Sequence, residues 1–444
     1  MRGRLSKLLT ICALSLSAAP ATLFEGERLI VDARRTPIEN AALLIDNGRV
    51  AAVGKKGSVK APAGALRVNL TGKTVIPALV DVHVHLGYQK GLVYSVENFN
   101  RDNLIDQLNR YAYCGVAAVL SLGTDLGDLP FELRSEQDAG KLGGALYRTA
   151  GHGFAAPNAG PGTPELKAAA YGVTTEQEAR KLVRDETARH VDFIKIWVDD
   201  RNGTVQKLRP DLYRAIIDEA HKHGTRVIAH VYYLDDAKDL ARAGIDAFAH
   251  LVRDREMDDE VVGLIKQHDI LVMPNIAISE NGAHGEPPVW LNDPLLHEVA
   301  PEAVIERVRA SYARRSTDGV ARAQKVYRDM QRSLAKLNSA GVRIALGTDD
   351  GAVRDHFYAY TALRELQLMV DGGMSPQQTL TAATVTSAEF LRLKDYGTLE
   401  AGKSASFIVL DANPLDDIGN AKKISNVYLR GQEVDRQALR AQWR

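Results

Sequence analysis

Between Val75 and Thr348 the chain returns eight times to a short apolar segment, and this repetition limits the fold more than any other feature. The segments span 75–86, 116–122, 146–150, 193–198, 227–231, 247–250, 270–273 and 343–348. Helix-like stretches at 176–189, 210–223, 235–243, 259–268 and 321–340 lie between the later ones; Pro210 opens one, and Gly224, Gly244 and Gly341 end three. Buried parallel strands joined by helices read this way. Eight of them predict an α/β fold, a closed (β/α)8 TIM barrel over residues 75–396. An open doubly wound sheet is the competing arrangement, but no glycine-rich phosphate loop follows the first strand.

The flanks have a different pattern. Strand signals at 28–32, 42–45, 50–53 and 68–70 precede the barrel, and Asp46-Asn47-Gly48-Arg49 marks a hairpin turn. Strand signals at 406–410 and 424–429 follow it. They predict a small β-sandwich module built from 22–74 together with 397–444, with the barrel inserted between its halves. Two Gly/Pro-rich stretches, 151–162 and 274–317, are expected as loops at the barrel mouth, the second carrying a charged helix.

At the N-terminus, Arg2, Arg4 and Lys7 precede an apolar core at 8–16, and Ala19-Pro20-Ala21 offers a small-residue cleavage site. Residues 1–21 therefore read as a signal peptide, and the protein is expected to be exported, periplasmic or secreted, without a membrane anchor. Cys12 falls in that segment, which leaves Cys114 alone, so neither a disulfide nor a cysteine metal cluster is expected. Lys+Arg and Asp+Glu both number 56, with no basic stripe for nucleic acid. The oligomeric state stays open, a homo-oligomer included.

In barrels of this kind the active site lies at the C-terminal ends of the strands. The first strand ends in Asp81-Val82-His83-Val84-His85-Leu86. Alternation places Val80, Val82, Val84 and Leu86 on one face and Asp81, His83 and His85 on the other. The fourth strand carries Lys195, the fifth ends in His230, the sixth in His250 and the eighth in Asp349. Imidazole and carboxylate are ligands for zinc and similar ions. One such histidine alone is as well explained by ordinary packing; their recurrence at corresponding positions of separate strands is not. Lys195 sits between Phe193 and Trp197, opposite the face of Ile194, Ile196 and Val198. A buried ammonium is costly unless it is paired or chemically altered. A neutral lysine reacts with CO2 to give a carbamate, an anion whose two oxygens can bridge two cations. The alternative is a lysine that snorkels to solvent.

These strand ends, with Ala42-Leu43-Leu44-Ile45-Asp46-Asn47-Gly48-Arg49-Val50, Val75-Ile76-Pro77-Ala78-Leu79-Val80-Asp81, Phe193-Ile194-Lys195-Ile196 and Gly347-Thr348-Asp349, resemble the amidohydrolase superfamily, in its imidazolonepropionase-like and Xaa-Pro dipeptidase-like branch with a binuclear metal site. Two positions depart from that pattern: Ala78 stands where glycine is usual and Ser406 where aspartate is common. The resemblance implies that His83, His85 and Asp349 hold one metal ion, that His230 and His250 hold a second, and that carboxylated Lys195 bridges them. Zinc is the metal this ligand set favours; manganese and cobalt fit the same donors. It further implies a hydrolase acting on a peptide-like amide, in which a hydroxide shared by the two metals attacks the carbonyl carbon and Asp349 is the catalytic proton carrier. Dipeptides or N-acyl amino acids are the expected substrates, with cyclic amides or amide toxins as alternatives. An inactive binding or scaffold relative would be expected to lack metal ligands, and all six are present. Candidates for holding the substrate are His152, Tyr232, Tyr88 and Arg253.

Overall fold

The computed structural model describes residues 20–354 and 356–443; apart from Pro20 and Ala21, the expected signal peptide lies outside them. Seven of the eight apolar segments are parallel strands: β1 (Leu79–Val84), β2 (Val116–Ser121), β3 (Leu146–Thr149), β4 (Ile194–Val198), β5 (Val227–Val231), β6 (Ala247–Ala249) and β7 (Leu271–Met273). β1, β2 and β3 pair side by side, and β4 to β7 pair in sequence. Helices Glu176–Ala188, Pro210–Lys222, Leu234–Arg242 and Asp259–Gln267 fall between strands as expected. The architecture is mixed α/β. Among the described residues no helix is long and apolar enough to cross a membrane.

The eighth segment departs from expectation. Residues 343–350 form no ladder, because the Leu346 N–H goes to the Ser387 hydroxyl (3.2 Å) and Asp349 turns into the left-handed region (φ 61°). The segment nevertheless joins the two groups of strands. Ala345 N–H donates to Val272 O (3.1 Å), and Val82 N–H donates to Leu346 O (2.9 Å). On the far side, Asp192 N–H donates to Thr149 O (2.8 Å) and ties β3 to the entry of β4. Val82, Leu120, Ile228, Ala249, Leu271 and Ala345 belong to an apolar cluster of the strands, distinct from the larger one that packs strands on helices.

Alternation along β1 does not run unbroken, contrary to the sequence pattern. Val80 and Val82 join the strand cluster, whereas Val84 and Leu86 pack outward beside Leu104 and Leu108. Pairing with β2 slips between Val119/Asp81 and Ser121/Val84, so three residues of β1 pass two of β2. A bulge of this kind bends a strand and re-aims its side chains.

The chain ends supply two further sheets. Ala41–Asp46 and Arg49–Lys55 make the expected hairpin, with Asn47 (φ 47°) and Gly48 (φ 75°) supplying its left-handed pair. They share a sheet with Thr22–Glu25 and Leu66–Asn69. The other sheet joins Arg28–Leu29 and Thr74–Pro77 to Phe407–Leu410, Ile424–Leu429 and Gln432–Glu433. Phe24, Leu43, Val75 and Phe407 meet in one core contributed by both sheets. Residues 74–77 thus pair with the C-terminal segment and not with β1's neighbours, so the larger unit starts after residue 75.

Both expected mouth loops carry structure. Gly153–Ala155 lies beside β4 through Phe154 and Ile196, with Phe154 fully buried. Residues 274–317 fold into helices Ala277–Ala283, Pro294–Val299 and Glu302–Ser311, because Leu295, Leu296, Val299, Val304, Ile305 and Val308 recur at helical spacing and are buried.

Gly351 follows the eighth segment with φ 86°, and a Cβ there would lie 1.8 Å from His85 O. Gly351→Ala should therefore lower stability by roughly 2–4 kcal/mol, seen as a lower urea midpoint. An unchanged midpoint would show that this close approach is not needed.

Candidate metal centre

β1, β4 and β5, the residue after β6 and the 343–350 segment each deliver polar side chains to one cavity of ≈ 320 Å³. His83, His85, Lys195, His230, His250 and Asp349 all line it. His83 Nε2 and His85 Nε2 each lie 3.0 Å from Asp349 Oδ1. The His83 approach is off the hydrogen-bond direction, and neither of its ring nitrogens has a hydrogen-bond partner. His250 Nε2 stands 3.8 Å from Asp349 Oδ2. The His250 ring centre lies 5.1 Å from that of His83 and 4.8 Å from that of His230. His250 (φ 98°) and Asp349 (φ 61°) both leave the extended strand conformation. Such backbone costs on the order of 1–3 kcal/mol per residue and is typical of functional sites.

Burial sets the protonation states. It pushes His83 down to about 4, lowers His85, and holds His230 and His250 well below the ordinary histidine range. These imidazoles are therefore neutral at neutral pH, the form that ligates metals. Burial works the other way on Asp349, but the facing His83, His250 and His85 outweigh it and hold the carboxyl well below its usual range. Lys195 is fully buried with no hydrogen-bond partner on Nζ, and burial pushes it down to about 7. Gly123 leaves room for its stem; a Cβ there would lie 2.6 Å from Lys195 Cβ.

A surrounding layer fixes these donors. His85 Nδ1 and the Thr124 hydroxyl are 2.8 Å apart, and Tyr88 O–H donates to the Thr124 carbonyl (2.6 Å). The Asp81 carboxylate accepts from His83 N–H (3.1 Å) and the Thr348 hydroxyl (2.7 Å). His230 Nε2 lies 3.1 Å from Asp199 Oδ2, which also pairs with Arg201 at 2.8 Å. Neutral imidazoles, an ionised carboxylate and buried nitrogens without partners on His83 and His250 suit a divalent cation. The donor atoms of His83, His85 and Asp349 are the most converged, all within 4.8 Å of one another. His230 turns toward Asp199, so the second set is looser.

A profile of the Amidohydrolase family matches residues 74–434. The chain belongs to this family. It is 27% identical to ochratoxinase of Aspergillus niger, over 91% of this chain and 85% of that one. It is 24% identical to imidazolonepropionase of Streptomyces avermitilis, over 89% and 87% of the two chains. The crystal structure of a putative prolidase from Bifidobacterium longum superposes with a TM-score of 0.73 at 25% identity, covering 96% of this chain and 99% of that one. This amidohydrolase is a hydrolase acting on C–N bonds.

Of the four residues expected to hold substrate, Arg253 lines the cavity, with Nη2 3.4 Å from His230 Nε2 and its guanidinium 5.0 Å from the Tyr232 ring. The other three are not among the lining residues. Tyr232 packs behind Arg253 and against Tyr233. His152 stacks on Tyr171 at 4.7 Å, with Nδ1 3.1 Å from Ala169 O. Tyr88 is wholly buried and its hydroxyl is committed to Thr124. Thr124, Asp199 and Arg201 escaped the sequence reading. Asp199 alone had a visible signal, as the acid directly after the Val198 strand end.

The depressed His83 value has a consequence for the metal-free amidohydrolase. From pH 6.5 toward 4 the unfolded chain takes up a proton at this imidazole and the folded chain does not, so its contribution to stability falls with acid and is constant above the unfolded pKa. The urea midpoint of wild type minus that of His83→Asn should therefore fall as pH drops through that window. A difference that stays flat, or rises, would contradict a neutral buried His83.

Proposed function

We propose that this amidohydrolase is a closed (β/α)8 barrel enzyme that cleaves an amide bond next to a carboxylate, as in dipeptides or N-acyl amino acids. The observation that carries this reading is that His83, His85, Lys195, His230, His250 and Asp349 share one cavity wall with the cation Arg253. His83, His85 and Asp349 would hold one divalent ion, His230 and His250 a second, and carboxylated Lys195 both; zinc suits the donors. Ions bound there supply Lewis acidity toward the carbonyl and make a water more acidic.

The chain's own groups do the rest. Asp349, ionised and facing two imidazoles, is placed to receive the proton of the attacking water and to return it to the leaving nitrogen. Hydroxide then adds to the acyl carbon as the C–N bond breaks. Lys195 near its neutral form at physiological pH is the state that reacts with CO2. Arg253 presents a planar fork to the substrate carboxylate, while Arg201 stays engaged by Asp199. The relatives named ochratoxinase and prolidase support a hydrolase of exocyclic amides; the likeness to imidazolonepropionase favours a cyclic amide as the second reading. The sequence of residues 1–21 supports export from the cytoplasm.

Lys195→Ala should lose nearly all amide hydrolysis and bind less than the wild-type amount of metal, with short carboxylic acids restoring part of both. Full activity without additive would remove the bridging role. Arg253→Ala should raise KM for carboxylate-bearing substrates by on the order of 10–100-fold, leaving neutral amides little changed in steady-state assays. Equal losses on both would remove the carboxylate contact.

A further inference from the structure

The cavity is polar on one side and apolar on the other. Lys195, Arg201 and Arg253 enter from β4 and the segments after β4 and β6. On the side of β7 and the 343–350 segment the wall is Ile278, in helix Ala277–Ala283, and Val353. These two side chains also line a second cavity of ≈ 390 Å³, between that helix and the start of helix Thr317–Ser339. They are therefore the partition between the two spaces.

Among the described residues, the second cavity has no carboxylate in its lining; Val320, Ala323 and two glycines form much of it, and Arg315 is its cation. Arg315 Nη1 donates to the His284 carbonyl (3.0 Å). The first cavity offers one carboxylate, Asp349, which the metal ligands already face. Glu280 lies on the same helix as Ile278 but is engaged by Arg364 at 3.1 Å. A free dipeptide that places its carboxylate at Arg253 would carry its α-ammonium to this apolar side, beside Arg315, with no anion to receive it. Removing that charge from water without a partner is costly. An acyl chain placed there gains burial instead.

We infer that the preferred substrates are N-acyl amino acids with an apolar acyl group longer than acetyl, not free dipeptides, and that Ile278, Val353 and Val320 set the acyl preference. This rests on the amide-hydrolase reading above. The test is a kcat/KM series with zinc-loaded full-length protein on N-acetyl, N-hexanoyl and N-decanoyl forms of one amino acid, beside the alanyl dipeptide of the same amino acid. The longer acyl forms should exceed N-acetyl by tenfold or more, and the dipeptide should be the poorest. Val320→Phe, which narrows the second cavity, should cut N-decanoyl turnover by tenfold or more and leave N-acetyl within twofold. Should that variant not fold, Ile278→Ala, which opens the partition, should shift preference toward longer chains. Efficient dipeptide cleavage, or equal loss on every chain length in Val320→Phe, would overturn the inference while leaving the hydrolase reading intact. No cleavage of any of these amides would overturn both.

Discussion

Desolvation is the constraint on which this site depends. Four imidazoles, a carboxylate and an amine are held in one cavity from which bulk water is largely excluded. In water these groups would present a mixture of charged and neutral forms near neutral pH. Burial selects neutral histidines and a near-neutral Lys195, and the cluster of imidazoles keeps Asp349 ionised. That combination is a set of lone pairs with one fixed negative charge, which is what a divalent cation requires and what a packed apolar core would not retain.

The scaffold meets this cost through backbone geometry. The bulge in β1 lets His83 and His85 both reach the cavity while Val84 and Leu86 still pack outward. Left-handed backbone at His250 and Asp349 turns those side chains off the strand path. Glycines at 123 and 351 admit the Lys195 stem and the His85 carbonyl where any Cβ would collide. Strain, close approach and desolvation are thus concentrated at one rim, with ordinary strand–helix packing beneath it.

Much of this was legible in the sequence because the signals are local. An apolar run followed by one histidine is readable at His230 and His250 without knowing any neighbour, and period-2 alternation correctly set Lys195 opposite Ile194 and Ile196. Features that depend on pairing were not legible. The β1 bulge exists only relative to β2, and the eighth segment loses its ladder because Ser387, far along the chain, takes the Leu346 N–H. Tyr88 looked like a substrate contact because it follows the first strand, yet its hydroxyl reaches Thr124, which no local pattern marks. The helices within 274–317 were obscured by the prolines and glycines that punctuate them.

The most direct measurement is an anomalous-difference map from a crystal of the zinc-loaded protein. Two peaks about 3.5–4 Å apart are expected, one against His83, His85 and Asp349 and the other against His230 and His250, with carbamate density running from Lys195 Nζ to both. A hydrolytically active crystal with no metal near Asp349, or with an unmodified Lys195 apart from the ions, would contradict the binuclear centre.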